Sequence, residues 1–256
     1  MAWQPEIYGR FTPERGQPVE DLLARLPSGF EPRSIVDLGC GAGASTARLA
    51  RRFPEARIEG VDDSASMLAR ARADLPDLVF RNADIASWLP DAGVDLVFSN
   101  AAFHWLADRN RVLAEVFEAL APGAVLAVQF PRMADAPSHR LLLDLIESRT
   151  WPAALRSAVP WASVAPVEAY ARLLAPRAAA ISAWETTYVH DLAGDGGVHA
   201  WVSGSILGQA MARLPEADAA ALDAAYRERV ARVYPPDAGG RVVYRFTRLF
   251  LVALRA

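Results

Sequence analysis

The sequence predicts an α/β fold, in which helices cover a doubly wound, mostly parallel sheet of seven strands and an inserted helical cap follows the fifth strand. Three observations support this prediction. From Arg33 onward, short apolar runs alternate with amphipathic stretches, the pattern of a parallel sheet covered on both faces. Closely spaced glycines follow the first apolar run. After Phe130 the alternation stops, and prolines divide the following stretch into short helices.

Each element of the first half follows from its own pattern. Apolar and β-branched residues fill the predicted strands, and apolar residues at helical spacing mark the helices between them. Ser64 is a typical N-cap for the second of these helices, and Pro122 with Gly123 ends the third. The predicted strands are 34–38, 58–61, 78–82, 94–99 and 124–129, and the predicted helices are 44–53, 64–73 and 109–120.

The second half supplies the remaining elements. Residues 131–180 form the predicted helical cap, over the carboxyl edge of the sheet. Beyond it, periodicity predicts strands at 181–189 and 241–254 and helices at 198–207 and 217–233. We therefore expect a single domain over residues 1–256, in which residues 1–30 form an amino-terminal segment.

Composition excludes or disfavours several kinds of site. The chain has 256 residues, with 27 basic and 30 acidic side chains and a net charge of −3, which is not the basic balance of a nucleic-acid-binding protein. Its one cysteine, Cys40, excludes a disulfide scaffold and a cysteine-rich zinc site, and we expect no metal. No lysine occurs, which disfavours pyridoxal and lysine-aldolase chemistry, because both need a Schiff base.

Hydropathy and the first residues bear on the cellular location of the protein. No apolar run reaches the length of about 18 residues that a membrane span requires. The first residues also lack the basic and apolar pattern of a signal peptide. We therefore expect a cytoplasmic protein without a membrane partner, and the net charge predicts no nucleic-acid partner.

The glycine segment is the clearest candidate site. Asp37 lies at the end of the first strand, and Gly39, Gly41 and Gly43 follow before the next helix begins. Glycines at such a position allow positive φ and let a ligand reach the backbone N–H groups at the start of the helix. Asp62 ends the second strand, where a carboxylate can accept hydrogen bonds from both ribose hydroxyls of a nucleoside. Together they predict an adenosine-type cofactor at the carboxyl edge of the sheet.

Charge favours one cofactor over another. Gly39, Gly41 and Ala44 also satisfy the glycine pattern of dinucleotide-binding enzymes. Asp37 argues against that alternative, because a carboxylate beside a pyrophosphate adds repulsion. S-adenosylmethionine instead carries an ammonium group, a sulfonium and an adenosine, so Asp37 near its amino acid part and Asp62 at its ribose match its charges. We favour S-adenosylmethionine and keep the dinucleotide as the alternative.

Two further strand ends fit the same ligand. Asp84 follows the third strand and can accept a hydrogen bond from an adenine amino group, with a helix N-cap as its alternative role. The fourth strand leads into Asn100, His104 and Trp105. Trp105 either closes over the adenosine or belongs to the core, and a lone His104 is more often a packing residue than a base.

The chain resembles the class I S-adenosylmethionine-dependent methyltransferases, a Rossmann-like fold family, and within them the trans-aconitate 2-methyltransferases. The glycine segment carries the resemblance to the superfamily, whereas 3–5 and 248–250 carry the narrower one. The chain departs from that family at Ala42 and Ala44, where the family usually has Pro and Asn, and the match is weaker over 131–180. The other matching positions are Tyr8, Phe11, Glu14, Arg15, Ser45, Thr46, 56–58, 60–62, Ser64, Met67, 83–85, Asn100, Ala101, Trp105, Leu106, 125–129, Pro131, 186–188, and His190.

The resemblance implies which positions hold the cofactor. It implies that the amino-terminal segment covers the cofactor, with Arg15 on the cofactor's carboxylate. The full implied set is Tyr8, Arg15, Asp37, Gly39, Gly41, Gly43, Asp62, Ser64, Met67, Asp84, Ile85, Asn100, Ala101 and Trp105.

The resemblance also implies the reaction. The methyl group would pass to a carboxylate of trans-aconitate or a closely related polycarboxylate, giving a monomethyl ester and S-adenosylhomocysteine. Such a carboxylate, with a pKa near ~4, is already ionised, so we expect no catalytic acid or base and a mechanism of positioning. Arg132, Arg245 and Arg248, together with His104, are the candidates for binding the acceptor, because guanidinium groups pair with carboxylates. Surface arginines are the alternative interpretation.

Two other functions stay open. A methyltransferase for another small acceptor would gain support if the cap were apolar and both Arg245 and Arg248 pointed to solvent. A binding module without catalysis is the second, and the complete set of glycines and acids argues against it. A nucleic-acid methyltransferase is disfavoured by the net charge.

Overall fold

The computed structural model describes residues 12–148, 152, 155, 160–193 and 196–256. The strands of this part of the chain are β1 (Ser34–Leu38), β2 (Arg57–Asp62), β3 (Val79–Asn82), β4 (Leu96–Asn100), β5 (Val125–Pro131), β6 (Ala178–Ala193) and β7 (Arg241–Arg255). These seven described strands form one sheet in the order β3-β2-β1-β4-β5-β7-β6. β1 to β5 run parallel, and β7 pairs antiparallel with β5. The predicted seven-stranded, mostly parallel sheet is confirmed.

Helices connect the strands, and most of them begin and end close to the predicted bounds. Ser64 caps the helix after β2 as predicted, since its Oγ accepts a hydrogen bond from the N–H of Met67 at 3.4 Å. Single turns of 3-10 helix lie at 85–87, 103–105, 160–163 and 175–177. The described α-helices are α1 (Thr12–Leu23), α2 (Ala44–Arg52), α3 (Ala65–Asp74), α4 (Arg109–Ala119), α5 (Pro137–Ser148), α6 (Val167–Leu174), α7 (Gly197–Ser203), α8 (Ile206–Met211) and α9 (Glu216–Val233).

The winding of the sheet reverses beside β1. β2 and β3 lie on one side of β1, and β4 and β5 lie on the other. In open α/β sheets, ligands bind at the carboxyl ends of the strands where the strand order reverses. The loops that follow β1, β2 and β4 therefore define the candidate site.

The central strands form the core of the sheet. Their side chains are almost entirely buried, because helices cover both faces of a parallel sheet. β5 is apolar from Val125 to Phe130 except for Gln129, which is also fully buried. A buried amide must find hydrogen-bond partners, which makes Gln129 the polar residue to explain.

The chain divides into two compact units. One contains 16–132, 165–186 and 248–256, and the other contains described residues of 12–15, 133–164 and 187–247. The first unit contains β1 to β5 whole, and both units contain parts of β6 and β7. The predicted cap, 131–180, is thus divided between the two units at residues 133 and 165, and its role as a cap over the site stays a prediction.

The structure differs from the sequence-based elements in the second half of the chain. The single helix predicted at 198–207 is two helices, α7 and α8, with Gly204 between them. The chain turns tightly there, since a Cβ on Gly208 would lie 2.3 Å from the carbonyl oxygen of Ser203. β6 extends beyond the predicted 181–189 at both ends. No helix in the described part of the chain is long and apolar enough to cross a membrane.

Candidate active site

The glycine segment forms a tight turn between β1 and α2. Gly39, Gly41 and Gly43 all have positive φ, at 78°, 54° and 84°. A Cβ on Gly39 would lie 2.3 Å from the Cβ of Ala102, so only glycine fits at this contact. Nothing lies within 4 Å of the position that a Cβ on Gly41 would take. The backbone at Gly41 is therefore open to a ligand, as an adenosine-type cofactor requires.

Asp62 lies at the end of β2 and connects two loops. Its Oδ2 accepts a hydrogen bond from the N–H of Gly41, and its Oδ1 accepts one from the N–H of Ser64, both at 2.9 Å. Each carboxylate oxygen can accept a second hydrogen bond. Asp62 is only partly buried, so it can hold the glycine turn and still accept hydrogen bonds from the hydroxyls of a ribose.

Asp37 is completely buried below the glycine turn. Its Oδ2 accepts hydrogen bonds from Ser45 Oγ at 2.7 Å and Thr46 Oγ1 at 2.6 Å, which fixes the first turn of α2. Burial raises the pKa of Asp37 to about 6, although both hydroxyls oppose the rise and the Asp62 charge adds to it. One carboxylate oxygen is thus held against the start of α2, and the expected contact of Asp37 with the ammonium group of the cofactor stays a prediction.

The positions after β2 and β3 combine capping with access to the site. Met67 is half-buried in the first turn of α3, where its N–H contacts the Ser64 cap. Asp84 is exposed and caps the following 3-10 turn, since its Oδ1 accepts a hydrogen bond from the N–H of Ala86 at 2.8 Å. Asp84 is thus a cap, as the alternative interpretation predicted. Its second carboxylate oxygen can still accept a hydrogen bond from a ligand. The Cδ1 of Ile85 approaches Gly39, at 2.9 Å from the position of a Cβ.

Asn100 and Ala101 form a strained exit from β4. Ala101 has φ of 56°, and it is the one non-glycine residue with positive φ in the described part of the chain. This conformation costs an L-residue on the order of 1–2 kcal/mol, and such strain is concentrated at functional sites. The N–H of Ala101 donates to the carbonyl oxygen of Gln129 on β5 at 2.8 Å. The exit from β4 is therefore held in place by β5.

His104 and Trp105 lie on the 3-10 turn that follows. His104 is buried, and its ring centroid lies 4.4 Å from that of Trp105, which is half-buried. Arg109 is also buried and donates to the carbonyl oxygens of Phe103 and His104, both at 3.4 Å. Arg109, which the sequence did not single out, stabilises this turn.

The three arginine candidates have different surroundings. Arg132 is half-buried, and its Nε lies 3.5 Å from Oε1 of Glu185. Arg245 is exposed, in a different compact unit from the glycine turn. Arg248 is 5% exposed, and its Nη1 donates to Oε1 of Gln129 at 3.0 Å. Through this hydrogen bond, Arg248 is connected to Gln129, which contacts the end of β4.

Two candidates of the amino-terminal segment have no described side chain. Tyr8 lies outside the described residues. For Arg15 the structure describes the backbone, which belongs to α1, and not the side chain. Their proposed contact with the cofactor stays a prediction.

Besides Arg109, sequence reasoning assigned no role in the site to three further residues. Ser45 and Thr46 hold Asp37, and Gln129 connects Arg248 with the end of β4. A polar residue within the apolar run of β5 is the signal that could have identified Gln129. In the described part of the chain, no three potential metal-ligating side chains form a cluster.

Comparisons with known proteins agree with this geometry. A family model described as a methyltransferase domain matches residues 35–123, from β1 to just before β5. The trans-aconitate 2-methyltransferase of Azoarcus sp. (strain BH72) is 42% identical over 99% of both chains. That of Methylobacterium radiotolerans is 42% identical over 99% of this chain and 98% of its own. The similarity thus extends over the whole length of these relatives.

Solved structures share the fold at much lower identity. A phosphoethanolamine N-methyltransferase 2 from Haemonchus contortus, in complex with S-adenosyl-L-methionine, aligns with a TM-score of 0.52 at 14% identity, over 93% of this chain and 52% of that one. The YcgJ protein of Bacillus subtilis aligns with a TM-score of 0.56 at 13% identity, over 94% of this chain and 97% of that one. The fold agrees with the sequence similarity, which reaches 42% identity over nearly the full length of both chains. The chain therefore belongs to the trans-aconitate 2-methyltransferase family of S-adenosylmethionine-dependent methyltransferases.

Proposed function

We propose that this protein transfers the methyl group of S-adenosylmethionine to a carboxylate of trans-aconitate. The products are a monomethyl ester and S-adenosylhomocysteine. The observation that carries the proposal is the 42% identity, over 99% of both chains, to a protein named trans-aconitate 2-methyltransferase. The geometry of the site supports it at the cofactor and at the acceptor.

The residues present fit S-adenosylmethionine. The open backbone at Gly41 and the partly exposed carboxylate of Asp62 would hold its adenosine, and the half-buried Trp105 would cover it. Asp37 is a positioning residue in this proposal, because its contacts are with Ser45 and Thr46 at the start of α2. Bound at this edge, the cofactor supplies a methyl group on a positively charged sulfur.

The acceptor needs positioning rather than activation. A carboxylate with a pKa near ~4 is ionised at neutral pH, so no side chain has to remove a proton before its oxygen attacks. One carboxylate oxygen forms the new bond to the methyl carbon, and the electron pair of the broken carbon–sulfur bond stays on sulfur. The protein's contribution is to hold the attacking oxygen in line with that bond and to exclude water.

The buried positive charge of Arg248 supports a carboxylate as the acceptor. Arg248 is buried and connects through Gln129 to Asn100 at the carboxyl end of β4. The alternative of another small acceptor would gain support if the cap were apolar and both Arg245 and Arg248 pointed to solvent. Arg245 is exposed, but Arg248 is buried. The cytoplasmic location and the absence of a nucleic-acid substrate, both expected from the sequence, belong to this proposal.

A methyl-transfer assay tests the proposal. Purified protein is incubated with methyl-labelled S-adenosylmethionine and, separately, trans-aconitate, cis-aconitate, citrate and isocitrate. We expect efficient transfer to trans-aconitate and a product whose label is released by mild alkali, as for an ester. No transfer to any of the four, by protein that still binds S-adenosylhomocysteine, would contradict the proposed acceptor and retain the cofactor.

A further inference from the structure

A chain of three polar side chains runs across the sheet from β7 to β4. Arg248 on β7 donates from Nη1 to Oε1 of Gln129 on β5 at 3.0 Å. Gln129 in turn donates from Nε2 to Oδ1 of Asn100 on β4. Gln129 and Asn100 are direct partners in the register of β4 and β5, so their side chains stand side by side.

The chemistry of Arg248 fixes the direction of every bond in this chain. A guanidinium group only donates, so Gln129 must present its carbonyl oxygen to Arg248 and its NH2 group to Asn100. Asn100 must then present Oδ1 to Gln129. Its Nδ2, for which the described part of the structure records no acceptor, is the end that remains for a ligand.

Gln129 also holds the backbone next to Asn100. Its carbonyl oxygen accepts from the N–H of Ala101, the residue with φ of 56°. Gln129 is fully buried, whereas Asn100 is half-buried at the carboxyl end of β4, where ligands bind in this fold. One residue thus fixes both the backbone that follows Asn100 and the orientation of its amide.

We propose that Gln129 is a positioning residue that holds the Asn100 amide with Nδ2 toward the acceptor, as a hydrogen-bond donor to a carboxylate of the substrate. The inference rests on the proposed function, since a carboxylate only accepts hydrogen bonds, and it assigns to the acceptor an Asn100 that the resemblance places in the cofactor-binding set. With Nδ2 toward the acceptor, Asn100 attracts the carboxylate of the substrate. With Oδ1 in that position, Asn100 would repel the carboxylate. The Arg248 charge polarises the chain and strengthens the donor at its far end.

Gln129→Glu tests the direction of the chain with almost no change of shape. The ionised carboxylate of this variant can still accept from Arg248, but it cannot donate to Asn100, whose amide then turns to place Oδ1 toward the acceptor. We expect the KM for trans-aconitate at pH 8 to rise about tenfold or more, as for an unmade hydrogen bond to a charged group. The Kd for S-adenosylhomocysteine, measured by calorimetry, should change less than about threefold on the same scale.

The two measurements separate positioning from a structural role. The carboxylate of the Gln129→Glu variant stays ionised at neutral pH, because the Arg248 guanidinium favours the charged form, so the variant lacks the donor to Asn100 throughout the assay. Positioning by Gln129 predicts a selective rise in the KM for trans-aconitate, whereas a general loss of structure would also weaken the binding of S-adenosylhomocysteine.

Two companion variants complete the experiment. Asn100→Asp keeps the size of a half-buried side chain and removes the donor, so it should raise the KM for trans-aconitate by a similar factor, and it tests the proposal even if Gln129→Glu does not fold. Gln209→Glu on α8 is the matched control: it changes the charge equally, and the described structure records no hydrogen bond of the Gln209 side chain. Its KM should equal that of the wild type.

The outcomes distinguish this inference from the proposed function. If the wild type methylates trans-aconitate but both Gln129→Glu and Asn100→Asp keep its KM within about twofold, the inference is wrong and the proposed function stands. A selective loss of S-adenosylhomocysteine affinity would overturn the inference by assigning Asn100 to the cofactor. If the wild type does not methylate trans-aconitate at all, both the inference and the proposed function fail.

Discussion

The carboxylate of Asp62 accepts a hydrogen bond from the N–H of Gly41 at 2.9 Å, across 21 residues of chain. Its other oxygen accepts from Ser64 at the same distance, so one side chain fixes the loops that follow both β1 and β2. These loops are the two that the proposed cofactor would contact. Binding and local stability therefore depend on the same carboxylate.

We predict that Asp62→Ala weakens cofactor binding and also destabilises the fold. Two hydrogen bonds to a charged acceptor are lost, each worth roughly 1.5–3 kcal/mol. Because the site is partly exposed, hydrogen bonds to water replace part of this free energy. We expect the Kd for S-adenosylhomocysteine, by calorimetry, to rise at least about tenfold, and the urea midpoint to fall.

Asp63→Ala is the control for this prediction. Asp63 is adjacent and exposed, and the hydrogen bond recorded for its carboxylate is with its own backbone N–H, so it connects no two loops. It should leave both the Kd and the midpoint close to the wild-type values. Equal Kd values for Asp62→Ala and the wild type would remove Asp62 from the cofactor site.

The strands and the glycine turn were predictable because local patterns specify them. Strand and helix periods mark β1 to β5, and Gly39, Gly41 and Gly43 occur where positive φ is needed. Asp62 was also identifiable, because its position at the end of β2 puts it at the edge where ligands bind. Each of these features depends on residues close together in the sequence.

The contacts across the sheet were not predictable in the same way. The chain from Arg248 through Gln129 to Asn100 depends on β7 lying beside β5, and residues 248 and 129 are 119 apart in the sequence. Asp37 shows the same limit: its charge suggested an ammonium partner, but the fold buries it against Ser45 and Thr46. Burial and register are properties of the assembled sheet, so composition and spacing do not reveal them.

Ala101→Gly should stabilise the protein. Glycine adopts φ of 56° without the steric cost that alanine has there, although it loses more freedom on folding. We expect the free energy of unfolding, from urea titration, to rise by up to about 1 kcal/mol. Ala179→Gly, at an exposed position on β6 without positive φ, should instead lower it by about 0.5–1 kcal/mol. Equal losses for both variants would contradict strain at Ala101.

Asp37 should make the protein less stable as the pH rises from about 4 to 6. Its native pKa of about 6 lies above the ordinary value of 3.8, so over this range the native state binds more protons than the unfolded state. Stability therefore falls with rising pH, by on the order of 2–3 kcal/mol across the window.

Asp37→Asn isolates this effect. The variant keeps an acceptor for Ser45 and Thr46 but buries an amide without a partner, a penalty that does not depend on pH. Its free energy of unfolding minus that of the wild type should rise by about 2–3 kcal/mol between pH 4 and pH 7. Asp77→Asn, at an exposed position, should give a flat difference. A flat difference for Asp37→Asn as well would show that the carboxyl is not protonated in the native state at pH 4 to 6.

His139 should have the opposite effect on the pH dependence of stability. Burial lowers its pKa from 6.5 to about 3, with the ring packed edge-on against Trp161 at 5.1 Å and Nδ1 at 3.1 Å from Ser138 Oγ. Below pH 6.5 the unfolded state takes up a proton that the native state does not, so stability falls as the pH decreases. Between pH 7 and pH 5 this amounts to about 2 kcal/mol.

His139→Phe removes the titrating group and keeps an aromatic ring. Its free energy of unfolding minus that of the wild type should increase by about 2 kcal/mol from pH 7 to pH 5. Trp161→Phe changes the same contact without removing a titrating group, so its difference from the wild type should not vary with pH. Because Asp37 and His139 act with opposite sign over overlapping pH ranges, measurements on the wild type alone would hide both effects. If His139→Phe and Trp161→Phe gave the same flat difference, the imidazole would have to gain its proton equally in the native and unfolded states.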